Sequence, residues 1–265
     1  MDLLIKNKTH RVAEGITSIA PFSETILKYI GFDILYLCKG DTFSLVKKNV
    51  ETAVVLFYGR CSIKVNGLYY ENLGPRYSIF EQNPTAVYIP VNEEFTVEAL
   101  DDVEVGLCYA RSDKKKNPFI VRPDDIVYRE IGKDNFVRKV RDIISESHDV
   151  DKLYLGETIS LNGNWSSFPP HKHDRDMFPI ETKLEEIYHF RIDPPQGFCI
   201  QRIYTKEKDI DETYTVENYD SVLIPKGYHP QVSCPGYKEY YLWILGGEKR
   251  QYRLFEDDNH SWIDK

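Results

Sequence analysis

Short apolar runs, each closed by a turn signal, recur along nearly the whole chain. Ala53-Val54-Val55-Leu56-Phe57-Tyr58 is a β-rich run that stops at Gly59. Cys61-Ser62-Ile63-Lys64-Val65 then alternates apolar and polar positions up to Asn66-Gly67. That pair favours a tight hairpin turn, because both residues tolerate positive φ. Val87-Tyr88-Ile89-Pro90 and Phe95-Thr96-Val97-Glu98-Ala99 continue the rhythm. Strands this short and closely spaced predict a sandwich or barrel over residues 31–110.

A polar connector follows from Arg111 to Asp125. Beyond it, Phe136, Val137, Val140, Ile143 and Ile144 fall on one face at helical spacing, with Asp134 placed as an N-cap. The spacing predicts a short helix there. The strand pattern resumes at 152–161, 185–192, 198–204, 221–225 and 239–245. The expected architecture is all-β: an N-terminal module over residues 1–125, then 126–265 with the linker helix and a second β module.

The chain has 265 residues, 42% hydrophobic and 29% charged, enough to bury one large or two modest cores. A net charge of −8 argues against nucleic acid, since phosphate contacts need clustered Lys and Arg. The only basic run, Lys114-Lys115-Lys116, sits in the polar connector as a solvated stretch. No apolar run approaches the ~18 residues of a membrane span, and the first residues lack the apolar core of a secretory signal. The five cysteines (Cys38, Cys61, Cys108, Cys199, Cys234) are odd in number and widely spaced. Disulfides and thiolate zinc sites are therefore not expected, and a cytosolic location is.

Histidines change the picture most. Of seven, only His10 precedes residue 148, whereas His171, His173, His189 and His229 all fall in the second β module, flanked by His148 and His260. His171-Lys172-His173 puts two imidazoles on one strand face with Lys172 on the other, because strand side chains alternate. A surface His-x-His pair arises by chance often enough. Here Pro169-Pro170 stiffens its approach, and the segment Leu184-Glu185-Glu186-Ile187-Tyr188-His189-Phe190 brings carboxylates at the start of a strand. Asp220-Ser221-Val222-Leu223-Ile224-Pro225-Lys226-Gly227-Tyr228-His229 is a buried-type strand, a turn and a further imidazole. Three nitrogens and one carboxylate suit Fe, Mn, Ni, Co or Zn. A metal site belongs to the second module.

This order of motifs resembles the two motifs of cupins, jelly-roll-like barrels that hold a metal between strands. More narrowly, Trp165-Ser166-Ser167-Phe168-Pro169-Pro170-His171-Lys172-His173-Asp174 resembles the signature of the 5-deoxy-glucuronate isomerase family of myo-inositol catabolism, related to 4-deoxy-5-keto-uronate isomerases. Leu184 to Tyr188, Pro194-Pro195-Gln196-Gly197-Phe198, Gln201-Arg202-Ile203-Tyr204, Pro225 to Pro230 and Asp258 to Ile263 carry the same likeness. The resemblance implies a bicupin with one divalent metal held by His171, His173, Glu186 and His229. Glu185 and Glu181 compete with Glu186, because residues 174–184 insert a loop where cupins place their glutamate soon after the second His. The first module lacks a His-x-His set, so it is expected to be metal-free and to serve packing and self-association.

The implied reaction is an aldose–ketose isomerisation of 5-deoxy-glucuronate to 5-dehydro-2-deoxy-gluconate. It needs a Lewis acid at the C1 carbonyl and C2 hydroxyl and a base for the C2 proton. Tyr188, Tyr204 and Tyr241 lie on strands of the second module as candidate proton carriers, although in a chain with 19 tyrosines packing is the commoner role. Arg202, with Gln201 beside it, is the candidate for the substrate carboxylate. His189 shares the face of Glu185 and is read as structural; His260 stays open. An Fe(II) dioxygenase and a non-catalytic sugar-binding cupin are the rival classes. A small-molecule uronate is the expected partner, with no nucleic acid and no membrane.

Overall fold

The computed structural model describes residues 2–7 and 13–264, and His10 lies outside them. Among the described residues there are strands and three 3-10 turns, and no α-helix. No helix is long and apolar enough to cross a membrane. The helix expected from Asp134 is corrected: Asp134–Phe136 is a single 3-10 turn and Arg138–Ile144 is a strand. Four of the five residues that suggested a helical face are β-branched, which costs side-chain freedom in a helix. A strand largely buried on both sides also loses the alternation that would have marked it.

The chain divides into two units that interleave, whereas the sequence suggested one cut after residue 125. One unit comprises Arg11–Val127 with Ile143–Tyr154; the other comprises Met1–His10, Tyr128–Asp142 and Leu155–Lys265.

The first unit is built around the 16-residue strand Val50–Val65. Its first half pairs with Ala86–Ile89 and Val103–Arg111, its second half with Leu68–Arg76 and Phe95–Ala99. The change of partner falls at Gly59, whose φ is +86° and whose missing Cβ would lie 2.1 Å from the Asp102 carbonyl oxygen. Only glycine allows that bend. Asn66 and Gly67 turn the hairpin with φ of 47° and 75°, as their sequence predicts. Leu35, Val54, Ile63, Val97, Val105 and Leu107 belong to one closed apolar cluster between the strands. Each such side chain contributes about 1.5–3 kcal/mol.

The second unit has a seven-stranded sheet in the order Leu4–Ile5, Ser221–Ile224, Glu185–Asp193, Lys238–Gly246, Tyr154–Leu161, Arg138–Ile144, Val127–Ile131. A four-stranded sheet runs Trp165–Ser166, Gln231–Ser233, Phe198–Tyr204, Asp211–Glu217. Glu186, Tyr188, Phe190 and Ile192 pair with Leu245, Trp243, Tyr241 and Glu239, so these eight residues share one face. Gly156 admits the Trp243 ring: a Cβ there would sit 2.1 Å from it.

Segment 143–154 is tied into the first unit by one buried carboxylate. Glu51 accepts from the backbone N–H groups of Asp151 (3.0 Å), Lys152 (2.7 Å) and Leu153 (2.7 Å), and from the Tyr88 hydroxyl at 2.6 Å. Glu51→Ala strands four donors, two of them backbone groups of buried residues, and is expected to cost about 3 kcal/mol or more. Urea unfolding measures this; a loss below about 1 kcal/mol would show that the tether carries little.

Candidate metal centre

His171 and Lys172 form a two-residue strand against Phe255–Glu256, and His173 follows directly. Alternation sends Lys172 the other way, where it is bound by Asp174 and by Glu181 at 2.7 Å. The inserted stretch is itself a small hairpin, Asp174–Met177 against Glu181–Lys183. Fully buried Glu181 organises it, accepting from the Asp174 and Arg175 N–H groups and from the Arg175 guanidinium at 2.8 Å. Glu181 is thus occupied away from the histidines. Glu185 lies on the strand face opposite Glu186.

Glu186 is the carboxylate that meets the imidazoles. Its Oε2 lies 3.1 Å from His173 Nε2 and 3.2 Å from His229 Nε2. His171 closes the group, its ring centroid 4.8 Å from His229 and 6.5 Å from His173. His173 Nδ1–H donates to the Leu184 carbonyl (3.0 Å), and His229 Nδ1–H donates to the Gly227 carbonyl (2.9 Å). A carbonyl can only accept, so these bonds put the proton on Nδ1 and turn each Nε2 lone pair inward. His173, Glu186 and His229 are buried, and their inward ligand atoms lie within 4.8 Å of one another. His229 Nε2 is buried without a hydrogen-bond partner. Converging nitrogen and carboxylate donors with such an atom at their centre fit a transition-metal ion.

The electrostatics follow. Burial alone would raise the Glu186 pKa, but the adjoining imidazoles of His173 and His229 prevail and hold it down at about 2. Burial, then the neighbouring His229 and His173, push His171 well below the usual imidazole range. Burial works the same way on His173, but the adjoining Glu186 wins and raises it. A neutral His171 and an ionised Glu186 are the protonation states that metal binding needs of them.

Two of the three candidate tyrosines border the group. The Tyr188 ring is 5.9 Å from His229 and 4.5 Å from Tyr241; their hydroxyls meet Ser167 Oγ (2.8 Å) and Ser166 Oγ (2.5 Å). Burial first, and then the Glu186 charge, raises the Tyr188 pKa. Tyr204 is placed differently: its hydroxyl donates to Asp257 at 2.7 Å and its ring stacks on Tyr228. Tyr252, absent from the sequence candidates, feels the charge of Glu186 and the phenol of Tyr241. It lies in the irregular stretch 247–254, where no periodicity could single it out.

Gln201 and Arg202 part company. Gln201 is fully buried and its Nε2 donates to the His229 (2.7 Å) and Pro230 (3.1 Å) carbonyls, so it supports the ligand loop. Arg202 turns to the opposite face, half-exposed, and binds Asp211 at 2.8 Å. Strand alternation thus turns Arg202, the candidate for the substrate carboxylate, away from the face of Gln201. His189 is buried against Ser221 (2.8 Å) and Arg191, on the far side of its strand from Glu186. The His260 backbone N–H caps the turn at Asp257.

Residues 3–263 match the KduI/IolB family. The chain is 38% identical over 265 residues to the 5-deoxy-glucuronate isomerase of Halalkalibacterium halodurans, covering 98% of each. The crystal structure of an IolB-like protein from Salmonella typhimurium LT2 matches all of both chains at 34% identity with a TM-score of 0.95. Lactobacillus farciminis oxalate decarboxylase matches at 13% identity and a TM-score of 0.68 over 93% of this chain and 85% of that one. That likeness concerns the fold alone, and supports the two-module cupin architecture.

A second buried polar group lies on the same inner face. Both Glu239 carboxylate oxygens, both amide atoms of Gln231, Gln201 Oε1 and Ser160 Oγ are buried without hydrogen-bond partners. Burial lifts the Glu239 pKa to about 8 against a lesser, opposing effect of Gln231. The unfolded chain releases this proton near 4.5 and the folded chain near 8, so the folded state holds the extra proton between them. Stability from Glu239 is therefore present below pH 4.5 and falls as pH rises towards 8. Glu239→Gln is expected to flatten the decline in urea-unfolding stability across that window. An unchanged slope would show that Glu239 is ionised when folded.

Proposed function

The chain belongs to the KduI/IolB family, and on that premise we propose that it is a 5-deoxy-glucuronate isomerase of inositol catabolism. The observation that carries this reading is the convergence of His173, Glu186 and His229, with both imidazoles locked to backbone carbonyls. His171, His173, Glu186 and His229 would hold one divalent ion of the Zn, Mn, Fe, Co or Ni class. When bound, such an ion acts as a Lewis acid towards the substrate's C1 carbonyl and C2 hydroxyl oxygens.

The reaction moves one proton from C2 to C1 and one from the C2 hydroxyl to O1, leaving a ketone at C2 and a hydroxymethyl at C1. The residues' part is to place those oxygens and carry those protons. Tyr188 and Tyr241 border the centre with their hydroxyls oriented by Ser167 and Ser166, and they donate to substrate oxygens. Burial favours their protonated forms, which suits donors and acids. Gln201 keeps the His229 loop in register. Tyr204, spoken for by Asp257, steadies the wall below Tyr228.

A cytoplasmic location and self-association complete the proposal. All five cysteines are free thiols, which suits a reducing compartment. Light scattering tests assembly: a mass near 31.0 kDa at micromolar concentration would count against it.

Incubation with 5-deoxy-glucuronate is expected to yield ketone without oxygen uptake, which a dioxygenase would require. His229→Ala and Glu186→Gln should each lose bound metal and more than about 100-fold in turnover while keeping the far-ultraviolet spectrum of the fold. An active, metal-free His229→Ala protein would sink the assignment. Turnover in heavy water should place deuterium at the product hydroxymethyl carbon, as proton transfer through an enediol requires. A product that keeps the substrate hydrogen with no solvent label would point to a hydride shift.

A further inference from the structure

The two segments that carry the imidazoles share no ladder of strand hydrogen bonds. His171–Lys172 pairs with Phe255–Glu256, and Asp174–Met177 folds back on Glu181–Lys183. His229 stands in the turn between Ser221–Ile224 and Gln231–Ser233, which belong to two different sheets. Among the described residues, one hydrogen bond joins segment 171–174 to segment 226–229: Asp174 Oδ2 accepts from the Gly227 N–H at 2.9 Å.

Both ends of that bond are held. Gly227 has a φ of +95°, and a Cβ on it would come within 2.7 Å of the Tyr204 carbonyl oxygen. The Tyr228 N–H donates to the same carbonyl at 2.8 Å. The turn is therefore pressed against strand Phe198–Tyr204 on one side and tied to Asp174 on the other. Its Gly227 carbonyl then receives the His229 Nδ1–H. On the other end, Lys172 Nζ binds the second Asp174 carboxylate oxygen, and the Asp174 N–H donates to Glu181 at 2.8 Å. Glu181 takes Lys172 Nζ as well, at 2.7 Å. Lys172 lies between the two histidines of its strand and points away from them, so this knot of charges sits directly behind the pair. An ionised acceptor fixed in this way holds an N–H more firmly than a neutral one.

We propose that Asp174 is a positioning residue for the metal centre, an inference that rests on the metal reading given above. Its carboxylate clasps the His173 segment to the His229 turn, so the two Nε2 atoms converge before any ion arrives. An ion held by His173, Glu186 and His229 would join the same two segments a second time, from the inner side. Without the clasp, the cost of bringing them together falls on ion binding and weakens it.

The test is titration of Co2+ against a competing chelator into the metal-free protein and its Asp174→Ala, Asp174→Asn and Asp176→Ala variants. The visible absorption of bound Co2+ reports its ligand set in each. Asp176 is the control, because it pairs with Lys249 at 2.6 Å on the exposed part of the same hairpin. Asp174→Ala is expected to lose about 10- to 100-fold in Co2+ affinity. With excess Co2+ it should still show the absorption of the unmodified protein, since the ligands themselves are intact. Asp174→Asn keeps an uncharged acceptor for the Gly227 N–H and should fall between the two, and Asp176→Ala should bind as the unmodified protein does. Unchanged affinity in Asp174→Ala would overturn the inference; if that variant does not fold, unchanged affinity in Asp174→Asn would do so. An equal loss in Asp176→Ala would overturn it in favour of a general role of the hairpin. An unmodified protein that binds no Co2+ would instead sink the metal reading, and this inference with it.

Discussion

The second unit is arranged around one costly act, the burial of an ionised carboxylate. Glu186 is almost wholly removed from water, and an unpaired charge there would cost several kcal/mol. It is tolerated because two imidazoles face it, and each imidazole is itself held from behind. Leu184, which fixes His173, lies two residues before Glu186 on the same stretch of chain. Gly227, which fixes His229, donates its own N–H to Asp174, and Asp174 belongs to the hairpin that Glu181 and Lys172 pin down. A disturbance at Glu181 would therefore reach Glu186 through Asp174, Gly227 and His229. The inserted hairpin, which has no counterpart in the usual cupin spacing, is the outer brace of the centre.

The features visible in the sequence were those carried by local chemistry. Asn66-Gly67, the His-x-His pair and the Pro-x-Gly-x-His turn each state their geometry within a few residues, and the strands at 185–193, 198–204 and 238–246 stand nearly where the pattern put them. What stayed hidden depended on parity or on distant neighbours. Strand 138–144 is buried on both sides, so its apolar residues mimicked a helical face. Gln201 and Arg202 are adjacent, and choosing which one points inward needs the register with Gln231, which only the fold supplies. Tyr252 sits in an irregular stretch, where neither periodicity nor motif marks it.

The two units use related strand arrangements for opposite interiors. In the first, Val54, Ile63, Val97 and Leu107 fill the space between strands with hydrocarbon. In the second, the equivalent layer is a mixture of imidazole, phenol, amide and carboxylate, some of it without partners. Apolar packing gives the first unit stability at little risk; the second gives up some of that gain for groups whose value is chemical. Glu239, Gln231 and Ser160 belong to this second economy, and they mark where the interior is least settled.

The interleaving of the units bears on how the chain is made. Strand Leu4–Ile5 pairs with Ser221–Ile224, and the Glu51 carboxylate needs the backbone at 151–153. A ribosome delivers residues in order, and domains generally fold as they emerge. The first unit therefore cannot finish when its own sheet is complete; Glu51 waits for about another hundred residues of synthesis. Leu4 and Ile5 wait longer still, until Ser221 and Val222 have been made. A strand made early is thus completed only by one made more than two hundred residues later.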